Sequence, residues 1–274
     1  MTRVGVRGGW AGRHVLVTGG SSGIGLALVR ALAADRARVS VLALDDADLA
    51  AVAADPVLAS VVTCGVDVTD ADAVDAAVAR AVAAHGPVRS LITCAGVTRP
   101  GPAFELPLAE YRREMEINYF GTLHAVRAVA PAMIAAGDGT ITCIASAAGL
   151  LGVFGYAAYA PTKFAVRGLC ETLRQELRPH GISVTAVYPP DVDTPMLHGE
   201  EPLKPAETRA ISGTITPLTA DAVAQAMLRG TERGVASVIP DVKTKGLRLL
   251  VGAAPRLVAF VLDRIIAKAR RATT

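Results

Sequence analysis

Thr18-Gly19-Gly20-Ser21-Ser22-Gly23-Ile24-Gly25 follows directly on the apolar run His14–Thr18 and precedes the helical pattern Leu26–Ala34. A glycine-rich turn between a buried strand and a helix lets backbone N–H groups and the positive helix end meet a phosphate. Side chains at the close-approach glycines would block that meeting. The plainer reading is a tight turn whose glycines serve packing alone. The strand before it and the helix after it, so near the N-terminus, favour a dinucleotide. The spacing is Gly-x-x-x-Gly-x-Gly, not the commoner Gly-x-Gly-x-x-Gly. Gly19, Ser21, Ser22, Gly23, Ile24 and Gly25 are the first candidate cofactor contacts.

Outward from this turn, short aliphatic runs alternate with alanine-rich helical patterns. His14–Thr18, Val39–Ala43, Val61–Gly65, Leu91–Cys94, Thr140–Ala145 and Ser183–Tyr188 each suit a buried parallel strand, with a seventh around Ser237–Ile239. Between them, Val74, Ala77, Val78, Ala81 and Val82 mark an amphipathic helix that His85-Gly86-Pro87 stops. Repeated strand–helix–strand units predict an α/β, doubly wound Rossmann fold: one parallel sheet of about seven strands with helices on both faces. The 274 residues suit a single domain, 1–274, with no linker or repeat inside it.

Composition removes several classes. A chain 51% hydrophobic and 19% charged is not disordered, and with 4% aromatics its core is aliphatic. Net charge is only +3, so nothing suggests nucleic acid. From Asp241 onward, however, eight basic residues face two acids, a net +6 on the last stretch. Cys64, Cys94, Cys143 and Cys170 lack metal spacing and read as reduced, mostly buried thiols of a cytoplasmic protein; with the histidines scattered singly, no metal is expected. Residues 1–10 hold no apolar run for a targeting segment. The uncharged stretch Gly139–Thr162 is punctuated by Ser146, Gly149, Gly152, Gly155 and Pro161, so it reads as strand, loop and helix start, not a membrane span.

Tyr159-Ala160-Pro161-Thr162-Lys163 places a tyrosine and a lysine four apart, on one helix face. A phenol has a pKa near 10 in water and needs a nearby cation to work near neutrality. Taken singly, Tyr159 would be packing, Lys163 a solvated face, Ser146 a turn residue, and Asp67 a solvated loop acid or helix cap. Tyr156 competes with Tyr159 but lies seven residues from Lys163, on a poorer offset.

Together with the turn, these residues resemble the short-chain dehydrogenase/reductase family over roughly residues 12–240. Asn118, Ser146, Tyr159 and Lys163 match its catalytic tetrad in order. The resemblance implies that Tyr159 exchanges the proton, Lys163 supplies charge and holds the cofactor ribose, and Ser146 binds the substrate oxygen. It also implies that Asn118 holds a water linking Lys163 to solvent. Asp67-Val68 looks like the adenine contact, and Cys94-Ala95-Gly96 like the Asn-x-Ala-Gly segment, with Thr93 where the family has its first Asn. Pro189, Val192 and Thr194 complete the expected cofactor contacts, Thr194 at the nicotinamide amide.

Between Ile117 and Ser212 the likeness is to the 3-ketodihydrosphingosine reductase branch. It rests on Tyr188-Pro189-Pro190-Asp191-Val192-Asp193-Thr194-Pro195, Ile117-Asn118-Tyr119, Gly152-Val153-Phe154-Gly155, Lys204-Pro205 and Glu207-Thr208-Arg209. The branch implies NADP(H), yet Ala43-Leu44-Asp45-Asp46 offers no arginine for a 2′-phosphate. Leu44 and Asp45 there favour NAD(H), Asp45 accepting from a ribose hydroxyl. The expected activity is interconversion of a ketone and a secondary alcohol on a small molecule or lipid, a long-chain keto lipid first and a steroid or other alcohol as alternatives. A non-catalytic dinucleotide-binding regulator of the same fold is the competing class. Residues 191–219 are expected to form a lid over the substrate. The family implies a homodimer or homotetramer. Residues 244–274 form a basic amphipathic extension, divided at Pro255, that either packs on the protein or touches an anionic membrane.

Overall fold

The computed structural model describes residues 5, 6, 8–213 and 216–273, so residues 214 and 215 of the expected lid lie outside it. The chain runs β1 (His14–Thr18), α1 (Gly23–Ala34), β2 (Arg38–Ala43), α2 (Ala47–Ala54), β3 (Val62–Gly65), α3 (Ala71–His85) and β4 (Ser90–Thr93). Next come α4 (Leu108–Met115), α5 (Gly121–Ala136), β5 (Gly139–Ile144), α6 (Tyr159–Leu177) and β6 (Ile182–Val187). The rest is β7 (Val192–Asp193), α7 (Pro195–Glu200), α8 (Ala206–Ser212), β8 (Leu218–Thr219), α9 (Ala220–Glu232), β9 (Ser237–Val238), α10 (Val242–Ala253) and α11 (Pro255–Thr273).

Seven parallel strands lie in the order β3-β2-β1-β4-β5-β6-β9. The order reverses between β1 and β4, and that switch point opens a crevice at the carboxyl ends of the strands. Each expected strand coincides with an observed one to within a residue at either end. Alternation along β1 explains the layers. Val15 and Val17 face Leu28, Leu32, Val223 and Met227 of α1 and α9, while Leu16 faces Val74, Val126 and Val129 of α3 and α5. Each fully buried aliphatic side chain contributes about 1.5–3 kcal/mol. The helix expected before His85-Gly86 ends there, with Gly86 at φ 79° as its cap.

Three features add to the expectation. A two-residue parallel pair, β7 with β8, ties the start of the lid to its end. Between α4 and α5 the backbone widens into a π turn over Glu116–Phe120. The C-terminal helices are also less separate than a 244–274 extension suggests. α10 already starts at Val242; α11 packs on α8, where Arg270 Nε donates to Glu207 Oε1 at 2.9 Å. Pro255 does start the second of these helices.

Candidate active site

Backbone proximity shapes the crevice floor. Gly19 sits at φ 65°, and a Cβ there would stand 2.6 Å from the Ala95 amide nitrogen. A Cβ on Gly25 would collide with the Gly19 carbonyl oxygen. The turn is therefore pressed against the loop leaving β4, where the Ala95 N–H donates to Thr18 Oγ1 at 3.3 Å. Ser22 precedes α1 without a side-chain cap bond, so the first N–H groups of that helix stay available to a phosphate. These residues fit a dinucleotide.

The cleft above this floor has a volume of about 520 Å³. Gly19, Ser21, Ser22, Gly23, Ile24, Gly25, Leu44, Asp67, Val68, Cys94, Ala95, Gly96, Pro189, Val192 and Thr194 all line it. Thr194 comes close to the turn, with its Cγ2 3.2 Å from where a Cβ on Gly23 would stand. Asp45 is the exception. Its side chain packs over Gly65, 2.8 Å from where a Cβ there would stand, and it does not line the cleft. The acids that do are Asp46 and Asp48; Asp46 also caps α2, accepting from the Asp48 and Leu49 N–H groups at 3.1 Å. Both acids lie in the bend between β2 and α2, where Asp45 turns onto Gly65 and Asp46 onto the first turn of α2.

Ser146, Tyr159 and Lys163 meet on the far wall. Ser146 follows β5 and caps a short turn, its Oγ accepting from the Ala148 N–H at 3.1 Å. Tyr159 opens α6, and Lys163 follows one turn later with its Nζ 5.5 Å from the tyrosine ring centre. Lys163 is 4% exposed, and its Nζ donates to the Ile144 carbonyl at 3.2 Å. Burial lowers the lysine to about 8, against the pull of Cys94, Glu114 and Cys143. It therefore remains largely an ammonium at pH 7. Burial pushes the Tyr159 phenol up, opposed by a hydrogen bond with Ser146, while the charges of Glu200, Glu114 and Asp191 add to the rise. In this state the phenol is neutral and carries a proton to give.

Asn118 stands behind this wall, fully buried, outside the cleft lining. Its Oδ1 accepts from the Val97 N–H at 2.8 Å, and its Nδ2 donates to the Val97 carbonyl at 2.9 Å and to Thr162 Oγ1 at 3.0 Å. Thr162 in turn donates to the Tyr159 carbonyl at 2.8 Å. The amide thus clamps the β4 exit loop to the first turn of α6, and its main-chain carbonyl accepts from Thr122 at 2.8 Å.

Several contacts near the site escaped the sequence reading. Tyr156 Oη donates to Glu200 Oε1 at 2.9 Å, which occupies the phenol that competed with Tyr159. Glu114 is completely buried, its Oε1 accepting from the Arg99 N–H at 2.7 Å, and burial pushes its carboxyl up to about 7. Its position four residues before Asn118, on one helix face, was the available signal. Glu200 and Lys204 are joined across one helical turn at 3.2 Å, a pairing visible as Glu at i and Lys at i+4. Among the described residues no cluster of His, Cys, Asp and Glu fits a metal ion.

A glycine turn at the switch point of a parallel sheet, with a buried Tyr–Lys pair and a serine opposite, defines a nicotinamide-dependent oxidoreductase of Rossmann type. Comparison with known proteins gives the family. Residues 13–204 match the model for short chain dehydrogenase, and the chain belongs to that family. It is similar to 3-ketodihydrosphingosine reductase of Dictyostelium discoideum, 37% identical over 85% of this chain and 76% of that one. It is also similar to the Mus musculus protein of that name, 38% identical over 81% and 69%. A 3-alpha-(or 20-beta)-hydroxysteroid dehydrogenase of Mycobacterium tuberculosis is 38% identical over 68% and 71%. Among solved structures, a short chain dehydrogenase from Burkholderia cenocepacia in complex with NADP superposes with TM-score 0.78 at 28% identity, covering 93% and 98%. Levodione reductase gives 0.75 at 25% identity, covering 85% and 97%. The chain is accordingly an NAD(P)-dependent oxidoreductase that interconverts a carbonyl and a CH–OH group.

Proposed function

We propose that the enzyme reduces the ketone of a long-chain lipid, of the kind that 3-ketodihydrosphingosine represents. The observation that carries this is the join of the Ser146–Tyr159–Lys163 wall to a mostly apolar cleft. Val97, Ile117, Leu151, Val153, Ile211 and Leu247 line it, drawn from the lid and α10 as well as the core. Ser146 orients the carbonyl oxygen, Tyr159 passes it the phenolic proton, and the Lys163 ammonium stabilises the phenolate left behind. A bound nicotinamide supplies the hydride. Reduction of a long-chain ketone, followed by nicotinamide absorbance beside a steroid ketone, tests the reading. Faster turnover of the steroid would favour the hydroxysteroid relative as the guide to substrate.

NAD(H) is the proposed cofactor in preference to NADP(H). Leu44, Asp46 and Asp48 at the cleft edge offer hydrogen-bond acceptors and an apolar face but no cation for a 2′-phosphate. We further propose that the enzyme works as a dimer or tetramer in a reducing, cytoplasmic setting, at an anionic membrane surface. In support, all four cysteines are free, and Leu249, Leu257 and Phe260 stand 73%, 52% and 56% exposed beside basic helical positions. No helix among the described residues is long and apolar enough to cross a membrane. Since Thr244 and Leu247 line the cleft, truncation is a poor test. Sedimentation with anionic liposomes, compared between wild type and a Leu249→Ser/Phe260→Ser variant, is the better one. Equal binding would end the membrane proposal, and light scattering checks the oligomer.

A further inference from the structure

One side of the apolar cleft is acidic. Asp191, on the exit from β6, and Glu200, at the end of α7, both line it beside Tyr156 and Tyr159. Glu200 is only 7% exposed. A single ammonium answers these acids. Lys204 Nζ lies 2.8 Å from Glu201 Oε2, 3.2 Å from Glu200 Oε1 and 3.9 Å from Asp191 Oδ2. Lys204 is itself buried and is not part of the cleft wall. Tyr156 adds a neutral hydrogen bond to Glu200. Glu201 is also paired with Arg209 Nε at 3.8 Å, so three carboxylates against two cations leave one negative charge, and the carboxylates of Glu200 and Asp191 are the pair that faces the cleft. Burial raises the pKa of both, despite Lys204. An uncompensated carboxylate beside an apolar chamber is costly to keep for a neutral ligand and favourable for a cationic one.

We propose that Asp191 and Glu200 are the specificity-determining residues for a protonated amine on the substrate, placed close to the reacting carbonyl. The ligand class is then an amino ketone, with the apolar chamber taking its chain. This rests on the ketone-reductase reading above and adds the group that the lid recognises. Proximity supports it: Glu200 is bonded to Tyr156, whose ring centre is 5.7 Å from that of Tyr159, so acid and proton donor are one phenol apart on the same cleft. The charge also has a use beyond binding. Glu200 and Asp191 both make Tyr159 harder to ionise. A cation between them offsets that effect and makes the phenol a better donor.

The test uses the full chain with three ketones of one chain length: an α-amino ketone, its N-acetyl derivative and the plain ketone. Wild type should show a kcat/KM for the amino ketone at least about tenfold above the other two. In Glu200→Gln and Asp191→Asn that ratio should fall about ten- to a hundredfold, the size of one charge-assisted hydrogen bond. Equal wild-type turnover of all three would overturn the proposal. So would variants that lose all three alike, since the acids would then serve only to hold the lid shut. No turnover of any ketone with cofactor bound would overturn the reductase reading itself, and this inference with it. Should a variant fail to fold, competition in wild type decides instead. A long-chain amine must inhibit plain-ketone reduction at least about tenfold better than the matching alcohol, and equal inhibition refutes the assignment.

Discussion

The turn after β1 and the segment 191–219 after β6, the expected lid, shape one cleft by opposite means. At the turn, recognition belongs to the backbone. Gly19, Gly23 and Gly25 are there because a Cβ would strike Ala95, Thr194 or the Gly19 carbonyl. At the lid, recognition belongs to side chains. Tyr156, Glu200, Lys204 and Asp191 form a charged cluster over two-residue strands and short helices. A backbone site tolerates few residue types and is therefore written plainly in a sequence. A side-chain site can be assembled from many combinations, which lets the lid change its substrate while the turn keeps its cofactor.

The sharpest break between the two regions is chemical, because the proton donor stands where they meet. Tyr159→Phe should cut turnover by about 10²–10⁴-fold and leave cofactor binding, read by nicotinamide fluorescence, nearly unchanged. Activity within a few-fold of wild type would move the donor role to Tyr156. Next in size is the turn itself. Gly19→Ala must hold a left-handed φ against the Ala95 backbone, which costs about 1–3 kcal/mol. Calorimetric titration should show cofactor affinity lost, or the domain destabilised, whereas alanine at the open position Gly152 should do neither.

A smaller effect sharpens the cofactor side. Leu44→Arg should shift the NADP-to-NAD preference by about ten- to a hundredfold towards NADP, the range of one charge-assisted contact to phosphate. Thermal shifts with the two cofactors at equal concentration measure it. A wild type already stabilised more by NADP would mean that a basic residue elsewhere holds the phosphate.

The smallest effect is on stability and lies between the regions, at Glu114. Its folded carboxyl titrates at about 7, against an ordinary value of 4.5, because burial disfavours the charge. Between those values the folded state holds more protons than the unfolded one, so this group's contribution falls as pH rises from 4.5 to 7. Glu114→Gln should remove that slope and raise the melting midpoint by a few degrees at pH 8 relative to wild type. His14, whose pKa burial lowers, tilts the curve the other way in both proteins, so the difference between them isolates Glu114. Superimposable melting curves from pH 5 to 8 would show that the carboxyl is solvated.

Strands buried on both faces must be continuous apolar runs, which is why all seven are legible in the sequence. The glycine turn and the Tyr159–Lys163 pair were legible for a related reason: each is a local constraint within eight residues. What escaped the sequence is what depends on distance or on the path of a bend. Asp45 and Asp46 are adjacent acids in the bend between β2 and α2, and only the path of that bend decides which one lines the cleft. Tyr156 and Glu200 are 44 residues apart, and no periodicity links them. The sequence leaves the tail's partner open between protein and membrane because α8, on which α11 packs, is a seven-residue helix with little signature of its own.

The π turn at Glu116–Phe120 has a consequence for how this protein can vary. α4, the turn and α5 form one continuous helical rod, yet α4 packs near α6 and α5 packs on α3. A wide turn accommodates one extra residue, and each residue of an α-helix advances about 100° around the axis. The rod therefore carries two phases, and Asn118 sits at the slip between them. Removing any one residue from this stretch would not merely shorten a helix. It would swing the α5 face off the sheet or pull the Asn118 clamp from Val97 and Thr162, two failures some distance apart produced by one deletion. Length here is held as tightly as residue identity.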